Sequence, residues 1–327
     1  MNSLRKYDVL CAGAAAWDTL LTGISRDLFD TDSVLAEGYF ASSGGDALNT
    51  AVNLARLGMS SALCAYCGED AAGELILQDL HQAGVHTDYV LRSHSVHTAS
   101  PVLLVDESGD RHIIRMPDSG NHSLREDMIT DDMLISARHL HVGSANILHA
   151  LDGEGLGKLM NRAHACGLTT SMDASYDRSG KWLDNIASAL KNCDVFIPSL
   201  QEASQYCGSD DLTVICEFFR QYPLKVFGIK LADKGVLITD FKNTYTMGTL
   251  FRGRPADTTG AGDAYMAGFL CGWLKQYDLP SCMALGSAQS ASVLRGTGAN
   301  RTAGTFAEAE ELLAENGIVL RNPVTAV

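Results

Sequence analysis

Short apolar runs separated by amphipathic helical patterns dominate this sequence and leave few folds open to it. VLCAG at 9–13, SALCAYCG at 61–68, HLHVGSA at 139–145, TTSMDAS at 169–175, CDVFIPS at 193–199, VFGIKLAD at 226–233 and KGVLITD at 234–240 read as strands. Between them, stretches such as ALNTAVNLARLG, AGELILQDLHQAG and EGLGKLMNRAHACG carry helical spacing. The alternation predicts a mostly parallel sheet covered by helices, because parallel neighbours need a crossover long enough to hold one. The helix expected from about Asp46 to Leu57 places Ala47, Leu48, Ala51, Val52, Leu54 and Ala55 on its apolar side, with Gly58 where a helix stops.

One segment departs from the pattern. Residues 99–120, ASPVLLVDESGDRHIIRMPDSG, read as two strands joined by the turn Glu107-Ser-Gly-Asp110, with no helix between them. With the stretch near Val34 to Ser42, they are expected to form a small β lid over the strand ends, where open α/β sheets place ligands. No repeat, low-complexity tract or long linker divides the chain. The expected organisation is one domain over 1–327, with lid segments at about 14–43 and 96–120.

A chain of 327 residues with 46% hydrophobic content can bury a large core. Its 25 basic and 39 acidic residues give a net charge of −14, which argues against a sequence-independent grip on nucleic acid or an anionic membrane. Any phosphate it binds must be held locally. MNSLRKYDVLCAGAAAW reads as an opening strand rather than a secretory signal, and no 18-residue apolar run suggests a membrane span. Nine cysteines, odd in number and without framework spacing, fit reduced thiols and a cytoplasmic location.

Chemistry concentrates in Asp257-Thr-Thr-Gly-Ala-Gly-Asp263, followed at once by AYMAGFLCGWL. Small residues at a helix start let backbone N–H groups approach an anion, and the helix dipole favours negative charge there. Phosphoryl transfer needs charge stabilisation, in-line positioning and an acceptor for the hydroxyl proton. Gly260, Ala261 and Gly262 suit the first and Asp263 the last. The bland alternative is a glycine-rich strand-to-helix turn with an acidic first-turn residue. No G-x-x-x-x-G-K-[ST] occurs and neither glycine-rich turn completes G-x-G-x-x-G, which disfavours P-loop enzymes and NAD-dependent dehydrogenases.

DTTGAGDAYMAGFL resembles the C-terminal signature of the ribokinase-like PfkB carbohydrate kinases, and SGGDALNTAVNLARLG resembles their N-terminal signature. Gly13 to Asp18, Gly68-Glu-Asp-Ala-Ala-Gly73, the hairpin, Lys230 to Gly235 and Val293 to Thr302 follow the family in order, so the resemblance spans nearly the whole chain. It implies a three-layer αβα sandwich with a mostly parallel central sheet and a small β-sheet lid. It further implies transfer of the γ-phosphoryl of Mg-ATP to a hydroxyl of a sugar or sugar-like substrate, with Asp263 as general base.

Carried over by position, the substrate-binding residues are Asp18, Gly44, Gly45, Asp46 and Asn49, to which Arg115 on the outgoing lid strand is added. Asp46 stands where ribokinases and 1-phosphofructokinases have lysine. A carboxylate there disfavours a phosphosugar and favours an unphosphorylated polyol or nucleoside; alternatively Asp46 is an N-cap. The family's metal-associated Asn-x-x-Glu appears as Ser199-Leu-Gln-Glu202, which keeps the glutamate that organises Mg2+ through water and is also a capping box. The nucleotide segment reads Lys230-Leu-Ala-Asp-Lys-Gly235: Lys230 would meet an ATP phosphate, Ala232 would allow the approach glycine normally gives, and adenine would lie between this segment, including Gly235, and Ser287. Asp257, Thr259, Val293, Gly296, Gly298 and Thr302 are the candidates for a potassium-type ion, or a plain helix-terminating loop.

Cys64-Ala-Tyr-Cys67 has redox spacing but sits in a strand pattern. His139 and His141 share a strand face, while His94 and His97 flank the lid without a third ligand in sequence. Both sets are read as core or surface residues. A nucleoside kinase of the same family, with stacking around Tyr39, Phe40 or Met116, is the first alternative, and a catalytically silent nucleotide-binding regulator is the second. Unpaired edges of a lid sheet make a homodimer through the lid the expected assembly.

Overall fold

The computed structural model describes residues 5–106, 111–255 and 257–322. In chain order the strands are β1 (Tyr7–Gly13), β2 (Ala16–Ile24), β3 (Gly38–Gly44), β4 (Ser61–Cys64), β5 (Tyr66–Gly68), β6 (Leu91–Ser93) and β7 (Val102–Asp106). They continue as β8 (Arg111–Ile114), β9 (Ala137–Ala145), β10 (Thr169–Ala174), β11 (Val195–Phe196), β12 (Val226–Lys230), β13 (Val236–Thr239) and β14 (Thr244–Met247). The large sheet runs β14-β13-β12-β11-β10-β9-β1-β4. From β4 to β12 every pairing is parallel, and β13 and β14 add an antiparallel edge. This is the expected α/β sandwich.

Successive residues of β1 point to opposite layers: Val9 and Cys11 join one buried cluster, Leu10 and Ala12 the other. Two helices on the first side, Ala261–Leu274 and Leu279–Val293, are apolar on almost every face, as suits helices enclosed by protein. Their axes approach closely because Gly268 lies against the Leu285 backbone and Gly286 against the Tyr265 ring. Helices Glu154–Ala165 and Leu183–Leu190 cover the opposite face.

A separate four-stranded sheet, ordered β3-β2-β7-β8, takes its strands from the two segments expected outside the main sheet. The β7–β8 pair is antiparallel, but the anticipated turn at 107–110 lies outside the described residues. SALCAYCG is not one strand, as its apolar run suggested. It breaks at Ala65, β4 staying beside β1 while β5 pairs with β6 in a small sheet of its own. The edge strand β14, TYTM, was not among the expected strands; its alternation of exposed and half-buried residues is a weak signal beside the buried runs.

Candidate active site

The parallel strands end where two helices begin. Gly13 and Gly143 are register partners on β1 and β9, and Gly143 packs against the Ala47 backbone. A side chain on Gly143 would push the first turn of helix Asp46–Arg56 off the sheet, and one on Gly13 would strike the Gly143 carbonyl. Gly45, with φ at 96°, is the N-cap of that helix, so Asp46 is not the cap its sequence context allowed; Gly45 leaves Asp46 as the first helical residue. Asp46 Oδ2 instead accepts a hydrogen bond from Ser175 Oγ at 2.6 Å.

Gly260 caps helix Ala261–Leu274 in the left-handed region, at φ 78°, where a Cβ would collide with the Ala299 carbonyl. Only glycine combines that φ with that approach. Asp257 shapes the preceding turn: Oδ1 accepts from Thr259 N at 2.9 Å and Thr259 Oγ1 at 2.7 Å, and Oδ2 accepts from Gly298 N at 3.1 Å. The first amides of a helix have no acceptor within it; that of Ala261 donates back to the Thr258 carbonyl at 3.3 Å, which leaves Gly262 and Asp263 at the anion-binding end. A Cβ on Gly262 would lie 3.1 Å from Lys230 Nζ, which puts the lysine ammonium beside this cradle.

Asp263 is 7% exposed and its Oδ2 accepts from Asn49 Nδ2 at 2.8 Å. Burial, with the neighbouring charges of Asp46 and Asp173, raises its pKa well above the ordinary carboxylate value, against the pull of Asn49 and Lys230. Asp46 is raised by burial and by Asp173, and Glu202 by burial. Lys230 donates to both oxygens of Asp173, at 2.9 and 2.7 Å. Burial works against its charge, yet the carboxylates of Asp173, Glu202 and Asp263 hold its pKa above the usual lysine value. Asp173 was missed in the sequence; a single carboxylate inside the apolar run TTSMDAS was the available signal.

Ser199 and Lys230 form an isolated bridge between chain segments, and Lys230 N donates to the Pro198 carbonyl at 2.9 Å. The capping box is formed: Ser199 N donates to Glu202 Oε2 at 2.8 Å, and Glu202 N to Ser199 Oγ at 3.3 Å. Ala232 adopts φ 54°, a conformation natural to glycine, and Gly235, at φ 92°, abuts the Met247 carbonyl. Ser287 is buried in helix Leu279–Val293, next to the Gly286–Tyr265 contact. In the loop that follows, Thr302 Oγ1 donates to Val293 O at 3.0 Å, and Gly296 lies against the Thr302 side chain.

Asp18, Leu20, Phe40, Ser42 and Leu103 of the smaller sheet face Asp257, Thr259, Gly298 and Ala299 across a narrow cleft. Gly44 gives the Asp18 carboxylate room, since a Cβ there would collide with it. Arg115 is exposed just beyond β8, where its charge adds to burial and His149 in lowering the pKa of His122. Cys64 and Cys67 are buried, both thiols pushed up to about 12, chiefly by burial. His139 and His141 share Ser171 Oγ, at 2.7 and 2.9 Å, and burial drives both down to about 3. His94 is exposed and pairs with Glu69. Among the described residues no group of three or more His, Cys, Asp or Glu is placed to hold a metal ion, and no helix is long and apolar enough to cross a membrane.

Comparison with known protein families makes this α/β protein a phosphotransferase with a hydroxyl acceptor. The model of the pfkB family carbohydrate kinases matches residues 8–305, and the chain belongs to that family. It is 29% identical over 248 residues to an uncharacterized sugar kinase of Archaeoglobus fulgidus, covering 76% of this chain and 96% of that one. It is 27% identical over 300 residues to an ATP-dependent 6-phosphofructokinase of Thermoanaerobacterium thermosaccharolyticum, covering 90% of each. In fold it matches an Arabidopsis thaliana ribokinase complexed with ribose and ATP, with a TM-score of 0.80 at 20% identity over 94% of this chain and 98% of the other.

Proposed function

We propose that this carbohydrate kinase transfers the γ-phosphoryl group of ATP to a hydroxyl of an unphosphorylated sugar or sugar-like molecule, with Asp263 as general base. The observation that carries the reading is the Asp263 carboxylate, buried in the first turn of helix Ala261–Leu274, inside the amide cradle and close to Lys230. The acceptor oxygen attacks the γ-phosphorus in line, its proton passes to Asp263, and the bond to the β-phosphate oxygen breaks to leave ADP. A carboxylate with a raised pKa is better matched to that proton than an ordinary one. The small residues Gly260, Ala261 and Gly262 bring the start of that helix up to the charge on the transferred group.

Lys230, shared with Asp173, is the cation that meets the nucleotide phosphates, and the base of the nucleotide lies between residues 230–235 and the helix carrying Ser287. Glu202 would hold Mg2+ through water, and the ion would supply the charge that neutralises those phosphates. The surplus of carboxylates over lysine, with Asp46, Glu202 and Asp263 all raised towards their neutral forms, fits a site completed by a cation. The Gly298–Asp257 bond joins the two loops whose Asp257, Thr259, Val293, Gly296, Gly298 and Thr302 would hold a potassium-type ion.

Acceptor hydroxyls lie among Asp18, Gly44, Gly45, Asp46 and Asn49. The Asp46 carboxylate beside Asp173 and Asp263 is the reason for preferring an acceptor without its own phosphate. A nucleoside is the second reading, favoured by a cavity of about 270 Å3 lined by Leu20, Thr22, Gly38, Tyr39, Phe40 and Thr297. Against it, the Arg301 guanidinium already covers the Phe40 ring at 4.9 Å. The smaller sheet acts as a lid, and its edge strand β3, with Tyr39 73% exposed, pairs two copies. Light scattering of Tyr39→Glu tests this pairing, since an unchanged mass rules it out.

The deciding assay is ADP production with Mg-ATP, in K+ and in Na+, across unphosphorylated sugars, phosphosugars and nucleosides. Asp263→Asn is expected to lower turnover about 10²-fold to 10⁴-fold with acceptor binding largely kept. Near-normal turnover in that variant would sink the mechanism.

A further inference from the structure

We infer that Asn300 is a positioning residue for phosphoryl transfer: it orients the Asn49 amide, which in turn aims the Asp263 carboxylate at the acceptor hydroxyl. The inference rests on the kinase reading above. Asn300 Nδ2 donates to Asn49 Oδ1 at 2.9 Å and to the Ser43 carbonyl at 3.3 Å. A carbonyl can only accept, so the Ser43 contact sets which end of Asn300 is the amide nitrogen. Its second N–H then claims Asn49 Oδ1, and the nitrogen of Asn49 is turned to Asp263 Oδ2 at 2.8 Å. Flipping Asn49 would set oxygen against carboxylate oxygen and nitrogen against nitrogen.

Asn49, Asn300 and Asp263 are 3%, 8% and 7% exposed, so little water reaches the chain of bonds to replace a lost donor. Asp263 is also faced by Asp46 from the start of its helix, by Asp173 from β10 and by Lys230 from β12. Both acids repel a carboxylate, and the lysine is engaged with Asp173. Asn49 is the neutral donor that holds one Asp263 oxygen in place, which leaves the other for the acceptor proton. Behind it, Asn53 Nδ2 donates to the Asn49 carbonyl at 2.9 Å, and Gln289 Nε2 donates to Asn53 Oδ1 at 2.8 Å. Asn300 also belongs to the loop whose Ala299 carbonyl backs Gly260, so one loop supports both the cradle and the base.

The test is steady-state kinetics of Asn300→Ala in the wild-type and Asp263→Asn backgrounds, with Asn300→Ser as the second variant should the alanine protein not fold. In the wild-type background kcat is expected to fall about 10-fold or more, with KM for ATP and acceptor changing less than about 3-fold. In the Asp263→Asn background the same substitution should have no further effect, because it acts through that carboxylate. Equal losses in both backgrounds, a loss confined to KM, or an unchanged kcat would overturn the inference. An active Asp263→Asn refutes the base and the inference together, whereas an inactive Asp263→Asn beside a fully active Asn300→Ala refutes the inference alone.

Discussion

Replacing Gly260 by alanine separates backbone strain from displacement of the anion cradle. At φ 78° an alanine costs about 1–2 kcal/mol. In addition, its Cβ would fall far inside the 3.0 Å limit that Cβ atoms keep, against the Ala299 carbonyl, so the two loops must part. The separation needed is on the order of 1 Å, a misplacement that can cost 10²-fold in rate. Gly58 supplies the control: it has φ 80° and open space around its missing Cβ, so alanine there carries the strain without the displacement. The expected result is that both variants lose a few degrees in Tm, while kcat falls about 10²-fold in Gly260→Ala alone. Thermal melts and kcat with saturating ATP and acceptor read the two effects. Equal kcat values for the two variants would refute the claim that the Ala299–Gly260 contact positions the cradle.

Lys230→Met removes one partner of a largely buried ion pair and should destabilise the protein by about 3–5 kcal/mol. Glu202 and Asp263, whose pKa values burial already raises, lose the lysine that draws them down, so the native state of the variant binds more protons than the unfolded chain and its stability falls as pH rises. Urea denaturation should therefore find a larger deficit at pH 8 than at pH 5; the reverse order refutes the assignment. His141, held neutral with its pKa down at about 3, behaves oppositely. Its contribution is present above the unfolded value of about 6.5 and is lost as pH falls towards the folded one, roughly 2 kcal/mol between pH 6.5 and 5. The stability of His141→Leu should fall less steeply over that window than the wild type, and parallel curves would show that the imidazole is not held neutral.

What the sequence determined by itself was local. Periodicity of two and of 3.6 is written in neighbouring residues, so most strands of the large sheet and the helices at 46–56, 71–83 and 154–165 could be read directly. The glycine turn before helix Ala261–Leu274 was legible for the same reason: a positive φ at Gly260 and the helix start after it depend on residues within one turn. Where burial pattern was weak, as in β14, or where a run crossed between sheets, as at Ala65, the same reading failed. Tertiary structure alone decided the electrostatics and orientation of the Asp263 carboxylate. Asn49 meets Asp263 across 214 residues and Asn300 across 251, and Lys230 meets Asp173 across 57. Those meetings follow from the order of strands in the sheet, which brings the ends of β9, β10 and β12 beside the starts of two helices. A raised carboxylate pKa is a property of that enclosed charge cluster, and no single segment of the chain contains it.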